Sequence, residues 1–288
     1  MSNSEDYYIG WREELPPGYA AFYRRCLLAI ALLLPLLILA VVLLQKPFNQ
    51  HEFRLGRVEE FTGVYHSIPV PFFIIDEGNL PADVAPQALL VGFGKFGATA
   101  TMREIQASTG RLDGKRIKLA GTLIHGDGHA VLELTQGSES FISVVDEQRV
   151  PALTGSSIGS LQARGEILDP KCFFGVMKPG EGKIHKSCAI RCLSGGIPAV
   201  FRTRSSGEST SAGVNPAAIE HDYYILMDWE GNPLNEALLP YVGQDITING
   251  QARQLGDWKL LFIGTDQLPT AVTMRSSLCG AAAGQLAS

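Results

Sequence analysis

Two glycine-bounded octapeptides, GKRIKLAG at 114–121 and GQDITING at 243–250, constrain this chain more than any other feature. Their opening glycines stand 129 residues apart, and each copy runs on to a Gly-Asp turn, Gly126-Asp127 and Gly256-Asp257. An apolar strand follows each turn, near 130–134 and 259–263. Phe61 to Tyr65 pairs loosely with Ala163 to Ile167 further upstream. A repeat of this length predicts two copies of one β unit. The first copy is laid out as strands near 58–66, 69–76, 88–94, 115–125 and 129–135, with a helical piece at 101–108. The second runs near 161–168, 198–204, 223–228, 244–254 and 258–263, with NEALLPY at 235–241 as its helical piece. Five strands with a helix before the fourth is the order of an OB-type barrel. Such a barrel hides its strand edges within about 100 residues.

Ahead of the repeat lies CLLAIALLLPLLILAVVLL, an uncharged run at 26–44. At about 1.5 Å per residue it spans roughly 28 Å, close to a hydrocarbon core of about 30 Å. Pro35 sits inside it, as membrane helices tolerate. The preceding residues are long and acidic (Glu5, Asp6, Glu13, Glu14) for a signal peptide, and Gln45-Lys46-Pro47-Phe48 offers no small-residue cleavage site. Lys and Arg divide evenly across the run, Arg12, Arg24 and Arg25 against Lys46, Arg54 and Arg57. The pair that abuts it, Arg24-Arg25, favours a cytoplasmic N-terminus. The expected class is therefore mainly β, one N-terminal transmembrane helix followed by two tandem OB-like five-stranded barrels. The expected organisation is a cytoplasmic segment at 1–25, a membrane helix at 26–45, barrels at 46–153 and 160–266, and a disordered tail at 267–288. The Gly/Ser-rich stretch 154–160 is the expected linker, and 205–219 a flexible excursion. A formal charge of −5 and a pI near 5.7 argue against nucleic acid as a partner.

Chemistry concentrates in DPKCFFGVMKPGEGKIHKSCAIRC, which carries Cys172, His185, Cys188 and Cys192. The last three are spaced i, i+3, i+7, so a helix presents them on one face, with Cys172 arriving from a loop. Thiolate with imidazole suits copper, zinc or an iron–sulfur centre. The equivalent loop of the first copy, after Tyr65, is short and lacks cysteine. Two other readings stay open at this point. Cys172 is bridged to Cys188 or Cys192 to brace the insertion of a docking module, or Cys188 and Cys192 form a thiol oxidoreductase pair.

The remaining candidates are weaker. His125 and His129 flank Asp127 at a turn, His66 and His221 are isolated, Cys26 lies at the edge of the apolar run, and Cys279 is near the C-terminus. The segment 175–183 misses phosphate-loop spacing, and G-x-S-x-G, H-E-x-x-H and C-x-x-C-H are absent.

The stretch with Cys172, Gly182-Lys183, His185-Lys186, Cys188-Ala189, Cys192 and Gly196-x-Pro198 resembles a motif of uncharacterised bacterial membrane-anchored envelope proteins. There it sits in an OB-like domain behind an anchor segment, and Tyr8-Ile9-Gly10-Trp11 is similar as well. The resemblance covers roughly 161–263 and implies a bacterial inner-membrane protein with periplasmic barrels. It implies no reaction. The expectation is an accessory or metal/redox-binding subunit of an envelope or respiratory assembly, more a binding module than an enzyme. Its partners would be the membrane and neighbouring membrane or periplasmic proteins.

Overall fold

The computed structural model describes residues 16–44, 51–76, 80–204, 221–264, 266 and 268. The chain forms two units, one up to Asn49 and one from Gln50 onward. Among its described residues the first holds a single helix, α1 (Pro17–Leu44). It is long and apolar enough to cross a membrane, and its most apolar stretch is entirely unburied. It begins well before the expected 26, because residues 19–25 are helix-compatible and Pro17 suits a first helical position.

The second unit contains two closed five-stranded barrels. The first is built from β2 (Glu59–His66), β3 (Phe72–Ile75), β4 (Gln87–Val91), β5 (Arg116–Gly126) and β6 (His129–Leu134). Helix α2 (Thr99–Thr109) lies between its third and fourth strands in sequence. β2 pairs with β3 and β5, β3 with β4, β4 with β6 in parallel, and β6 with β5. Two strands that the repeat does not announce, β1 (Glu52–Phe53) and β7 (Phe141–Asp146), also pair with β5.

The second barrel repeats the circuit with β8 (Ser156–Leu168), β9 (Val200–Thr203), β10 (Tyr223–Met227), β11 (Asp245–Leu255) and β12 (Trp258–Phe262). β10 pairs in parallel with β12, as β4 does with β6. Helix α3 (Gly182–Ser194) fills the insertion between β8 and β9, and the short α4 (Asn235–Leu238) precedes β11. Residues 156–160 are strand rather than linker. Their backbone pairs with Gln251–Gln254 of the long β11, and exposed ladder positions do not need apolar side chains. The segment 205–219 and the tail 267–288, apart from residue 268, lie outside the described residues.

The barrels do not stand apart as beads. β4 and β10 are buried along their whole length, and apolar but for Gln87, because each lines two cores. In β4, Ala88 and Leu90 face the first barrel's interior, while Leu89 and Val91 face a core shared between barrels. In β10, Tyr224 and Leu226 face the second interior, while Tyr223, Ile225 and Met227 join the shared core. The period of two splits one strand between two layers.

Each barrel also lodges its Gly-Asp turn on the other. Asp257 accepts from the Gln87 amide at 3.1 Å, and its own N–H donates to Gln87 Oε1 at 2.8 Å. Trp258 Nε1 donates to the Gln87 carbonyl at 2.9 Å. Reciprocally, Asp127 accepts from Tyr223 Oη and meets His51 Nε2 at 2.9 Å. The turn pattern of the repeat is thus the interlock between its copies.

This interlock has a pH signature. Burial alone would raise the Asp127 carboxyl, but hydrogen bonds from His51 and Tyr223 and the charges of His51 and Arg202 outweigh it and hold it at about 2. A folded value below the unfolded one of 3.8 stabilises fully above about pH 4, and that contribution is lost as pH falls toward 2. The side chain is 43% exposed, so solvent screening leaves on the order of 1 kcal/mol. Asp127→Asn is expected to flatten the stability profile between about pH 4 and 2. Denaturant unfolding of both proteins across that window checks it, and parallel profiles would disprove it.

Candidate metal centre

β8 ends at Leu168, and Asp169 follows fully buried. Its Oδ1 accepts from the Lys171 amide at 3.0 Å, and its carbonyl accepts from the Phe173 amide at 2.9 Å, which starts a helical turn. That turn widens to π geometry over Cys172–Val176, closed by the Met177 amide on the Cys172 carbonyl at 3.1 Å. Such widened turns recur at functional sites. Cys172 is thereby set facing α3.

α3 lacks a side-chain cap of its own. Its Gly182 amide donates instead to the buried Glu166 carboxylate of β8. Burial pushes that carboxyl up, against the pull of the Gly182 amide. At the far end, Gly196 takes a left-handed conformation at φ +92°, which terminates the helix. Asn235 Nδ2 donates to the carbonyls of Leu193 and Ile197 at 2.9 and 2.8 Å. With both ends fixed, α3 presents His185, Cys188 and Cys192 toward Cys172, as their spacing predicts.

The four residues fall in two donor groups that share Cys172. Cys172 and Cys188 Sγ are 3.8 Å apart. Donor atoms of Cys172, His185 and Cys188 lie within 4.8 Å of one another, as do those of Asp169, Cys172 and Cys192. Four ligands at about 2.3 Å in a tetrahedron give a sulfur–sulfur edge of about 3.8 Å. His185 is 2% exposed, yet neither ring nitrogen has a hydrogen-bond partner, and Asp169 Oδ2 is equally orphaned. Leaving such groups buried and unpaired costs about 1–3 kcal/mol each. A cation at this place would take up one of the two His185 nitrogens. The described cysteines, Cys26, Cys172, Cys188 and Cys192, are free thiols.

The electrostatics fit a ligand set in waiting. Burial lowers the His185 imidazole, and the Lys95 charge adds to that against the opposing pull of Asp169. A lowered imidazole is neutral at pH 7, the form that binds metal. The Cys172 thiol is pushed up, first by its hydrogen bond with Cys192, then by burial and the Asp169 charge. Loading a metal therefore displaces protons from the thiols.

The first barrel supplies the lid. Lys95, on the loop after β4, donates from Nζ to Cys188 Sγ at 2.9 Å. That hydrogen bond is the main reason its ammonium is stabilised. The loop reaches α3 because glycines permit contact of backbones. The Gly97 amide donates to the Gly195 carbonyl at 2.9 Å, and a Cβ at Gly195 would sit 1.9 Å from the Lys95 carbonyl. Buried Lys171 clamps the same loop through the Gly92 and Gly94 carbonyls and Glu133 Oε1 at 2.6 Å.

Asp169, Lys95 and the Lys171–Glu133 pair escape a reading of spacing. Only Asp169, three residues before Cys172 in DPKC, leaves a local signal. The weaker candidates lie elsewhere. Among the described residues, neither His125 nor His129 joins a metal-capable cluster. His129 Nδ1 meets the Asp127 carbonyl at 2.9 Å, and its ring packs on Trp258, Tyr223 and Phe174. His125 Nε2 faces Glu52 at 3.4 Å, and His221 Nδ1 meets the Thr203 carbonyl at 2.8 Å. His66 is buried, Cys26 belongs to α1, and Cys279 lies outside the described residues.

The fold and the cluster together define a class, a two-barrel β protein with a metal-capable thiol–imidazole cluster in one barrel. Comparison with protein-family models, with characterised proteins and with solved structures finds no match to this chain.

Proposed function

We propose that this chain is a membrane-anchored accessory subunit whose second barrel binds one transition-metal ion, copper or zinc, through Cys172, His185, Cys188 and Cys192. The observation that carries this reading is His185, a buried imidazole with two unpartnered nitrogens beside thiols at tetrahedral spacing. Asp169 lies beside the site, with a carboxylate oxygen within 4.8 Å of the Cys172 and Cys192 sulfurs. Lys95 offsets the negative charge that three thiolates and a divalent ion leave behind. The apolar α1 supports a single membrane span. Arg24-Arg25 beside it and the resemblance to envelope proteins support a cytoplasmic N-terminus and periplasmic barrels. The role is binding, in metal delivery or electron transfer within an envelope or respiratory assembly.

The test uses the full chain in detergent, reduced and stripped of metal. Titration with Co²⁺ is expected to saturate at about one equivalent and develop the intense visible bands of a tetrahedral thiolate site. Zn²⁺ should then bleach them. A titration with no saturable bands would sink the reading. Elemental analysis of the untreated protein would decide between copper and zinc.

A further inference from the structure

The same cluster carries a second chemistry that needs no metal. Cys188 is partly exposed, whereas Cys172 and Cys192 are 7% and 1% exposed. An incoming reagent therefore meets one sulfur first. That sulfur receives a hydrogen bond from the Lys95 ammonium at 2.9 Å, an arrangement that favours nucleophilic sulfur. Behind it, at 3.8 Å, stands Cys172 on a different element. Cys188 and Cys192 share α3 at i, i+4, where the helix holds their backbones in fixed parallel positions and hinders a bond between them. Cys172 sits on a single widened turn, which is freer to yield the roughly 1.8 Å needed to reach a bond length of about 2.0 Å.

We propose that Cys188 and Cys172 form an exchange-active dithiol, Cys188 attacking an external disulfide and Cys172 resolving the product. In the first step Cys188 sulfur bonds to one sulfur of R–S–S–R, and the R–S–S–R bond breaks to release one thiolate. In the second, Cys172 sulfur bonds to Cys188 sulfur and the second thiolate leaves. The two cysteine protons end on the two released thiols. One external disulfide is reduced, and one protein dithiol is oxidised. The pair differs from the Cys188–Cys192 pair considered from the sequence, whose i, i+4 spacing on one helix makes them awkward disulfide partners. Because the disulfide uses two of the four metal ligands, oxidation and metal loading exclude each other.

The experiment treats the full reduced, metal-free chain with glutathione disulfide, quenches by alkylation and maps the products by peptide mass spectrometry. Wild type is expected to yield a Cys172–Cys188 crosslink. Cys172→Ser should stall with glutathione on Cys188. Cys188→Ser should slow modification of Cys172 and Cys192 by roughly tenfold or more. A wild-type crosslink dominated by Cys188–Cys192 or Cys172–Cys192 would overturn the proposal, as would glutathione resting on Cys188 with no crosslink. Co²⁺ uptake is measured in parallel on the reduced wild type. Metal uptake without the crosslink refutes the exchange chemistry alone, and the crosslink without uptake refutes the metal site alone.

Discussion

Replacing Cys172 by serine is expected to weaken metal binding by on the order of 10²–10³-fold. A four-ligand thiolate–imidazole site gives an apparent binding free energy of about 10–16 kcal/mol near neutral pH, so one ligand carries about 2.5–4. Cys172 is the ligand to remove because it belongs to both donor groups, with His185 and Cys188 on one side and Asp169 and Cys192 on the other. Serine keeps the size but offers a hydroxyl that coordinates poorly. Competition against a chromophoric chelator measures the loss. Lys95→Met should cost less, about 10–100-fold, since it touches a ligand without being one. Lys95→Arg should recover part of it. Should Cys172→Ser bind as tightly as wild type, the ligand set is wrong; should Lys95→Met equal Cys172→Ser, the lid is mis-assigned.

The second large effect concerns stability. Glu133→Ala is expected to destabilise the folded unit by about 3–5 kcal/mol, because it leaves the Lys171 ammonium buried without its counter-charge. Lys171 and Glu133 side chains are 6% and 11% exposed, and the carboxylate also accepts from the Gly94 amide at 3.1 Å. For a unit of this size the loss corresponds to roughly 6–20 °C in melting temperature. The double variant Glu133→Met with Lys171→Met should recover most of it, since an apolar pair of similar volume needs no desolvated charge. Calorimetry of the three proteins checks both statements. A Glu133→Ala protein that melts with wild type would show that water reaches Lys171. The single variant should also loosen the Lys95 loop and weaken metal binding in step.

What was legible in the sequence, and what was not, follows from the range of the interactions involved. The paired octapeptides and Gly-Asp turns set the two barrels correctly, because turn chemistry and strand alternation are local. The spacing of His185, Cys188 and Cys192 gave their shared face for the same reason. The runs QALLV and YYILM were readable as strands, but not as strands shared by two cores, since that depends on how the copies dock. Lys95 lies 93 residues from Cys188, and Glu133 lies 38 from Lys171. Neither pairing leaves a trace in spacing. Residues 156–160 misled through composition: Ser and Gly usually mark linkers, yet a long neighbouring strand recruits their backbone.

The exchange of turns between barrels bears on how the chain matures. The first barrel leaves the ribosome before its partner exists. Until then Phe72, Leu89 and Val131 have no second wall, and the loop bearing Lys95 has nothing to close upon. Only the arrival of the second copy seats Asp257 on Gln87 and Asp127 on Tyr223, and the same docking brings Lys95 to Cys188. A half-made molecule would thus hold the Lys95 loop with no cluster for it to meet. The cluster and its Lys95 contact therefore arise together, in the one event that docks the second copy on the first.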